Sequence, residues 1–134
     1  MVNKLWHPQE IETFYVIPTL RRYLALYMKK QGLKQKDIAA LLMINTATIS
    51  QYQSNKRGHQ LNFDSATLTE IKKSALVIQD RLSYLRETQR LLQFIRSTKE
   101  LCTIHKKFSE VPKGCDPHDI GCHSQESAMV TCTW

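Results

Sequence analysis

Apolar positions along the chain repeat at helical spacing from residue 8 to about residue 107, and no stretch alternates with the period of a strand. Residues 8–16 open with Pro8 and carry Glu10 and Glu12 early, which predicts a short helix. Pro18 then starts a second helix with Ile17, Leu20, Leu24, Tyr27 and Met28 on one stripe. Gly32 is placed to end it with a left-handed cap. Two short helices follow, over residues 35–42 and about 46–54, joined by a tight connection at 43–45 with Asn45 as N-cap of the second. Beyond Asp64 or Ser65, either of which can cap a helix, the apolar residues are Leu68, Ile71, Ala75, Ile78, Leu82 and Leu85. Their spacing alternates three and four, which is a heptad seam, with Gln89 and Leu92 on the next two seam positions. From Pro112 onward the chain reads as irregular, with Gly114, Pro117 and Gly121 among three of the four cysteines.

These elements predict an all-α fold in three parts. Residues 1–58 form a helix-turn-helix bundle, 59–107 a long helical dimerisation region, and 108–134 an irregular cysteine-containing tail. A long helix with a heptad seam implies a homodimer.

Charge sharpens the picture. The chain of 134 residues carries a net charge of +7. Residues 17–58 hold eight bases, Arg21, Arg22, Lys29, Lys30, Lys34, Lys36, Lys56 and Arg57, against the single acid Asp37. The remainder of the chain balances, so the whole excess sits in one segment. Lys and Arg concentrated in this way favour a polyanion, because they neutralise phosphates and release condensed counterions.

The stretch QKDIAALLMINTATISQYQS, residues 35–54, carries the chemistry for reading DNA. Ala39 is small where two helices would cross, and Ile38, Leu42, Ile44, Ile49 and Tyr52 supply the inner faces. Thr46, Ser50 and Gln51 are left facing outward, within reach of base edges in the major groove, with Ala47 suited to a thymine methyl. Gln35 sits at a helix amino end suited to a phosphate. The expected DNA-contacting set is Arg21, Arg22, Gln35, Lys36, Thr46, Ala47, Thr48, Ser50, Gln51, Lys56 and Arg57, and the expected partner is double-stranded DNA.

The segment IAALLMINTATISQYQSNKRG resembles the helix-turn-helix of phage-repressor-like and related prokaryotic regulators. Upstream, PQEIETFYVIPTLRRYLA is similar to the start of small prokaryotic regulators that carry this motif before a cysteine-bearing tail. The resemblance covers residues 8–58 and implies a sequence-specific transcription regulator. One position departs from it: Met43 stands where the turn usually has Gly. Such a turn is either not left-handed or costs about 1–2 kcal/mol.

Cys102, Cys115, Cys122 and Cys132 are widely spaced and include no CxxC knuckle of the kind that structural zinc sites use. Wide spacing in a Gly/Pro-containing loop suits an iron–sulfur cluster, with zinc as the alternative and His105, three residues after Cys102, as an alternative ligand. The expected function is therefore a homodimeric regulator whose operator affinity responds to a cluster. The alternative is a zinc-stabilised DNA-binding or protein-interaction adaptor without redox sensing. No enzyme is expected, since Cys102 and His105 have no third orienting group in view. With no apolar run near the ~20 residues that span a bilayer, and no apolar signal core near residue 1, the expected location is cytoplasmic.

Overall fold

The computed structural model describes residues 5–54, 61–98, 100–109 and 113–115. All regular elements among them are helical: α1 (Pro8–Ile11), a π-helical turn (Glu12–Val16), α2 (Ile17–Lys30), α3 (Gln35–Leu42), α4 (Thr46–Gln53), α5 (Ser65–Val77), α6 (Arg81–Ser97) and α7 (Glu100–Phe108). None is long and apolar enough to cross a membrane.

The first twenty-odd described residues follow one helical path rather than two separate helices. Pro18 has no N–H to give the carbonyl four residues back, and its ring crowds that carbonyl. A π turn resolves the conflict: the Ile17 N–H bonds to the carbonyl of Glu12, five residues back. The turn also directs Glu12 inward. Only 4% exposed, it is not the solvated first-turn acid that the sequence suggests. Arg96 of α6 grips its carboxylate with two donors, Nη2 at 2.7 Å and Nε at 3.1 Å from Oε1.

Leu20, Leu24, Ala25 and Met28 place the buried stripe of α2 against α3 and α4 and against α5. The Leu20, Leu24 and Met28 side chains each contribute about 1.5–3 kcal/mol when fully buried. At its end Gly32 adopts φ +97°, and the Leu33 N–H returns to the carbonyl of Met28, the left-handed cap expected there.

The long helix is where sequence and structure part. The region splits into α5, α6 and α7. Ile78 and Asp80 are extended, and the Asp80 carboxylate accepts from the Ser83 N–H at 2.7 Å, starting α6 afresh. That bond holds the Asp80 carboxyl below the usual carboxylate range. Thr98 is extended as well, and its hydroxyl accepts from the Glu100 N–H as α7 begins. The chain folds back, so Ile71, Ala75 and Ile78 of the expected seam fill the core of this same chain. Leu82 and Leu85 remain exposed, at 72% and 49%.

Polar contacts lock the returning helices. Arg90 binds Glu70 at 2.8 Å, Glu87 at 3.1 Å and the Ser74 hydroxyl at 2.6 Å, joining α6 to α5. Its hydrogen bond is the main reason the Glu70 carboxyl sits below its ordinary range. Glu100 accepts from the Asp64 N–H and the Thr67 hydroxyl, so α7 covers the start of α5.

Between α3 and α4, Met43 is left-handed, with φ 55° and ψ 43°. Its side chain is half exposed and recovers little by burial. Replacing it with Gly removes the Cβ clash, worth about 1–2 kcal/mol, at a smaller entropic cost. Met43→Gly should therefore raise the denaturation midpoint, by about 0.5–1 kcal/mol of stability, in urea unfolding followed by circular dichroism. A lowered midpoint would show that the strain is not at this residue.

Candidate nucleic-acid interface

Asn45 organises the start of α4. Its side-chain oxygen accepts from both the backbone N–H and the hydroxyl of Thr48, each at 2.8 Å. The Ile44 N–H closes the preceding turn onto the Ala39 carbonyl. Ile49 and Tyr52 then point into the core with Ile38, Ala39 and Leu42, and Ile44 packs at its edge. The apolar positions thus fall on the inner faces as their spacing predicts.

Gln35 connects the two helices. Its Nε2 donates to the Thr46 carbonyl and to the Ser50 hydroxyl, both at 2.8 Å. Both amide hydrogens are spent inside the chain, so Gln35 fixes the angle of α4 instead of donating to a phosphate. Thr48 departs from expectation too. It is buried, and its hydroxyl is turned to Asn45, away from any outward face.

Thr46, Ala47 and Ser50 are exposed on α4, and Gln51 is half-buried. The bonds of Gln35 hold the amino end of α3 over the first turns of α4. Lys34 and Lys36 are the immediate neighbours of Gln35 in sequence, at the start of α3. Both lysines are exposed and pair with no acid among the described residues.

The remaining bases divide. Lys29 and Lys30 are exposed at the end of α2, with Lys30 5.7 Å from the Tyr27 ring centre. Lys72 of α5 lies over the same ring at 5.4 Å. Burial, with Tyr23 nearby, pushes the Tyr27 hydroxyl above its ordinary value, so it stays neutral. Arg22 lies 5.3 Å from the centre of the Tyr23 ring and is half-buried. Arg21 turns away from the strip: its Nε donates to the Tyr84 hydroxyl at 3.1 Å, toward α6. Lys56 and Arg57 lie outside the described residues.

Of the candidate metal ligands, Cys102 on α7 and Cys115 are both half-buried, and neither is in a disulfide. Cys122 and Cys132 lie outside the described residues. His105 is buried and its Nε2 donates to the Trp6 carbonyl at 2.6 Å, which takes that nitrogen out of use as a ligand. The Trp6 N–H in turn donates to the Ser109 hydroxyl at 2.8 Å, so α7 clamps the segment before α1. No group of three or more His, Cys, Asp or Glu among the described residues could hold a metal ion. The described part therefore offers no formed site for a cluster or for zinc.

The signals that sequence reading missed are single polar residues with distant partners. Arg96 and Tyr84 reach Glu12 and Arg21 across 84 and 63 positions. Comparison of the chain with protein-family models, with curated proteins and with solved structures finds no match.

Proposed function

We propose that the chain is a sequence-specific DNA-binding transcription regulator that acts as a homodimer. The observation that carries this reading is the α3–α4 unit. Its second helix presents Thr46, Ala47 and Ser50 to solvent beside unpaired Lys34 and Lys36. A helix of that kind fits the major groove, where hydroxyls and amides read base edges and flanking lysines meet phosphates. Gln51 makes no side-chain hydrogen bond within the described residues and is the amide best suited to an adenine.

Selection from random duplexes should return one defined site. Gln51→Ala should relax preference at one base pair, at a cost of ~1–3 kcal/mol. Lys34→Ala with Lys36→Ala should instead weaken binding to all sequences alike and flatten its salt dependence. An unchanged consensus for the first variant together with an unchanged salt slope for the second would remove α4 from the interface.

The second copy meets the chain at the α5–α6 turn. Leu76 and Leu82 are 68% and 72% exposed there, with Val77 and Leu85 also exposed. Asp80 and Arg86 rim this apolar patch, and a two-fold axis can set opposite charges against each other across it. The turn thus replaces the expected helical seam as the dimer contact. Two copies would read an inverted repeat with half-sites about one helical turn, ~10 base pairs, apart or a multiple of that. Leu82→Asp with Leu85→Asp should sediment as a monomer and lose the repeat while keeping circular dichroism intact. A dimer in that variant would place the contact elsewhere.

A cluster-sensing version of this regulator would hold the cluster with Cys102, Cys115 and Cys122 and with Cys132, His105 or another residue as the fourth ligand; Cys122 and Cys132 lie outside the described residues. Its test is separate from the DNA-binding one. Protein prepared without oxygen should contain iron and sulfide that are lost in Cys102→Ser and in Cys115→Ser. Zinc without iron would make the site structural, and no metal would end the sensing proposal.

A further inference from the structure

A cleft of about 910 Å³ opens between α2, the α3–α4 turn and the first turn of α6. Its size is that of small-molecule sites, roughly 300–1,000 Å³. Pro18, Ala39, Ala40 and Ile44 give it an apolar lining, and Arg21 and Arg81 supply charge. No Asp or Glu lines it among the described residues.

Both arginines line the same cleft. Arg81 and Tyr84 lie three residues apart on α6 and so share a face. Because Arg21 Nε donates to the Tyr84 hydroxyl, its guanidinium is drawn to that same face. A phenol is a neutral acceptor and leaves the charge of Arg21 uncompensated. Arg81 is exposed and has neither an ion pair nor a hydrogen bond among the described residues. Asp80, next to it in sequence, has its carboxylate turned to the Ser83 N–H. An anion in a cleft lined by two guanidinium groups and by no described acid can be met by both.

We propose that this cleft binds a small organic anion, its carboxylate, sulfonate or phosphate group against Arg21 and Arg81 and its apolar body along Ala39, Ala40 and Ile44. Such a ligand also touches Met43 and Asn45, the left-handed turn and the cap of α4. Its effect on DNA affinity rests on the regulator reading. Its binding does not.

The probe is 8-anilinonaphthalene-1-sulfonate, which joins a sulfonate to an aromatic body, titrated by fluorescence and calorimetry against the folded full chain. One molecule should bind per chain, more weakly as salt rises. Arg81→Gln removes a side chain with no internal hydrogen bond, so the fold is kept, and it should weaken binding about tenfold. Adding Arg21→Gln should abolish it, while Lys106→Gln, at an exposed position on α7, should leave it unchanged. Absence of saturable binding would overturn the inference. So would binding that survives Arg81→Gln but is lost in Leu82→Ser, because the probe would then sit on the α5–α6 patch. Strictly competitive displacement by duplex DNA, with the probe's apparent affinity falling without limit as DNA rises, would assign the two arginines to backbone phosphates and overturn it as well.

Discussion

The turn at Asp80 decides what kind of molecule this is. Had the heptad pattern run on through it, residues 65–97 would form one rod with its apolar seam facing outward, dependent on a partner for burial. The carboxylate of Asp80, bonded to the Ser83 N–H, instead starts a new helix in a new direction. Folded back, α6 carries Leu91, Leu92 and Ile95 into the same core as Ile71 and Ala75 of α5. Arg90 then bridges the pair through Glu70, Glu87 and Ser74. A capping bond worth about 1 kcal/mol in isolation marks where the helix breaks, and burial of the returning side chains, each about 1.5–3 kcal/mol, holds the chain folded back. The turn itself, with Leu76 and Leu82, keeps apolar surface outside.

Charge is sorted in three dimensions as it is in sequence. Most acids of the balanced part are consumed internally: Glu12 by Arg96, Glu70 and Glu87 by Arg90, while Asp64, Asp80 and Glu100 serve helix starts. Among the described residues, Lys29, Lys30, Lys34 and Lys36 form no ion pair with them. Lys34 and Lys36 stay solvated, and Lys30 rests near an aromatic face. Among the described residues, the charge of these lysines beside α3 and α4 is thus left uncompensated by acids that already have partners nearer to hand. Field of one sign over a local surface is what steers a polyanion to it.

How much of this could be read from the sequence depends on the range of each interaction. The stripe of α2, the left-handed Gly32, the bounds of α3 and α4 and the cap at Asn45 follow from residues within a few positions of one another. Those features were legible. The heptad was legible as buried surface but ambiguous in its partner, since spacings of three and four look the same whether the other helix belongs to this chain or a second one. What tips the balance, Asp80 before Ser83 and Thr98 before Glu100, are short polar signals set in strongly periodic runs. The role of Gln35 was misread for a related reason. A helix amino end suits a phosphate, yet a carbonyl and a hydroxyl lie closer, on the neighbouring helix. The pairs Glu12–Arg96 and Arg21–Tyr84 leave no local mark at all.

The pose of α4 is held by short-range contacts on one side and by a single long-range arrangement on the other. Gln35 and Asn45 tie it to α3 and to its own first turn. Toward α6 the link runs through Arg21, whose helix packs on α4 and whose guanidinium reaches Tyr84 one turn from the exposed Leu82–Leu85 surface. The left-handed Met43 lies beside that link, and strain held at such a position persists only where surrounding contacts determine it. On the proposed reading, a second copy at the α5–α6 turn, or an anion in the separate cleft beside Arg21, would act on α4 through α2 and this turn. Coupling of that sort requires two arrangements with different affinity for DNA. The turn, which shares a cleft with both arginines, is where the described chain has room for them.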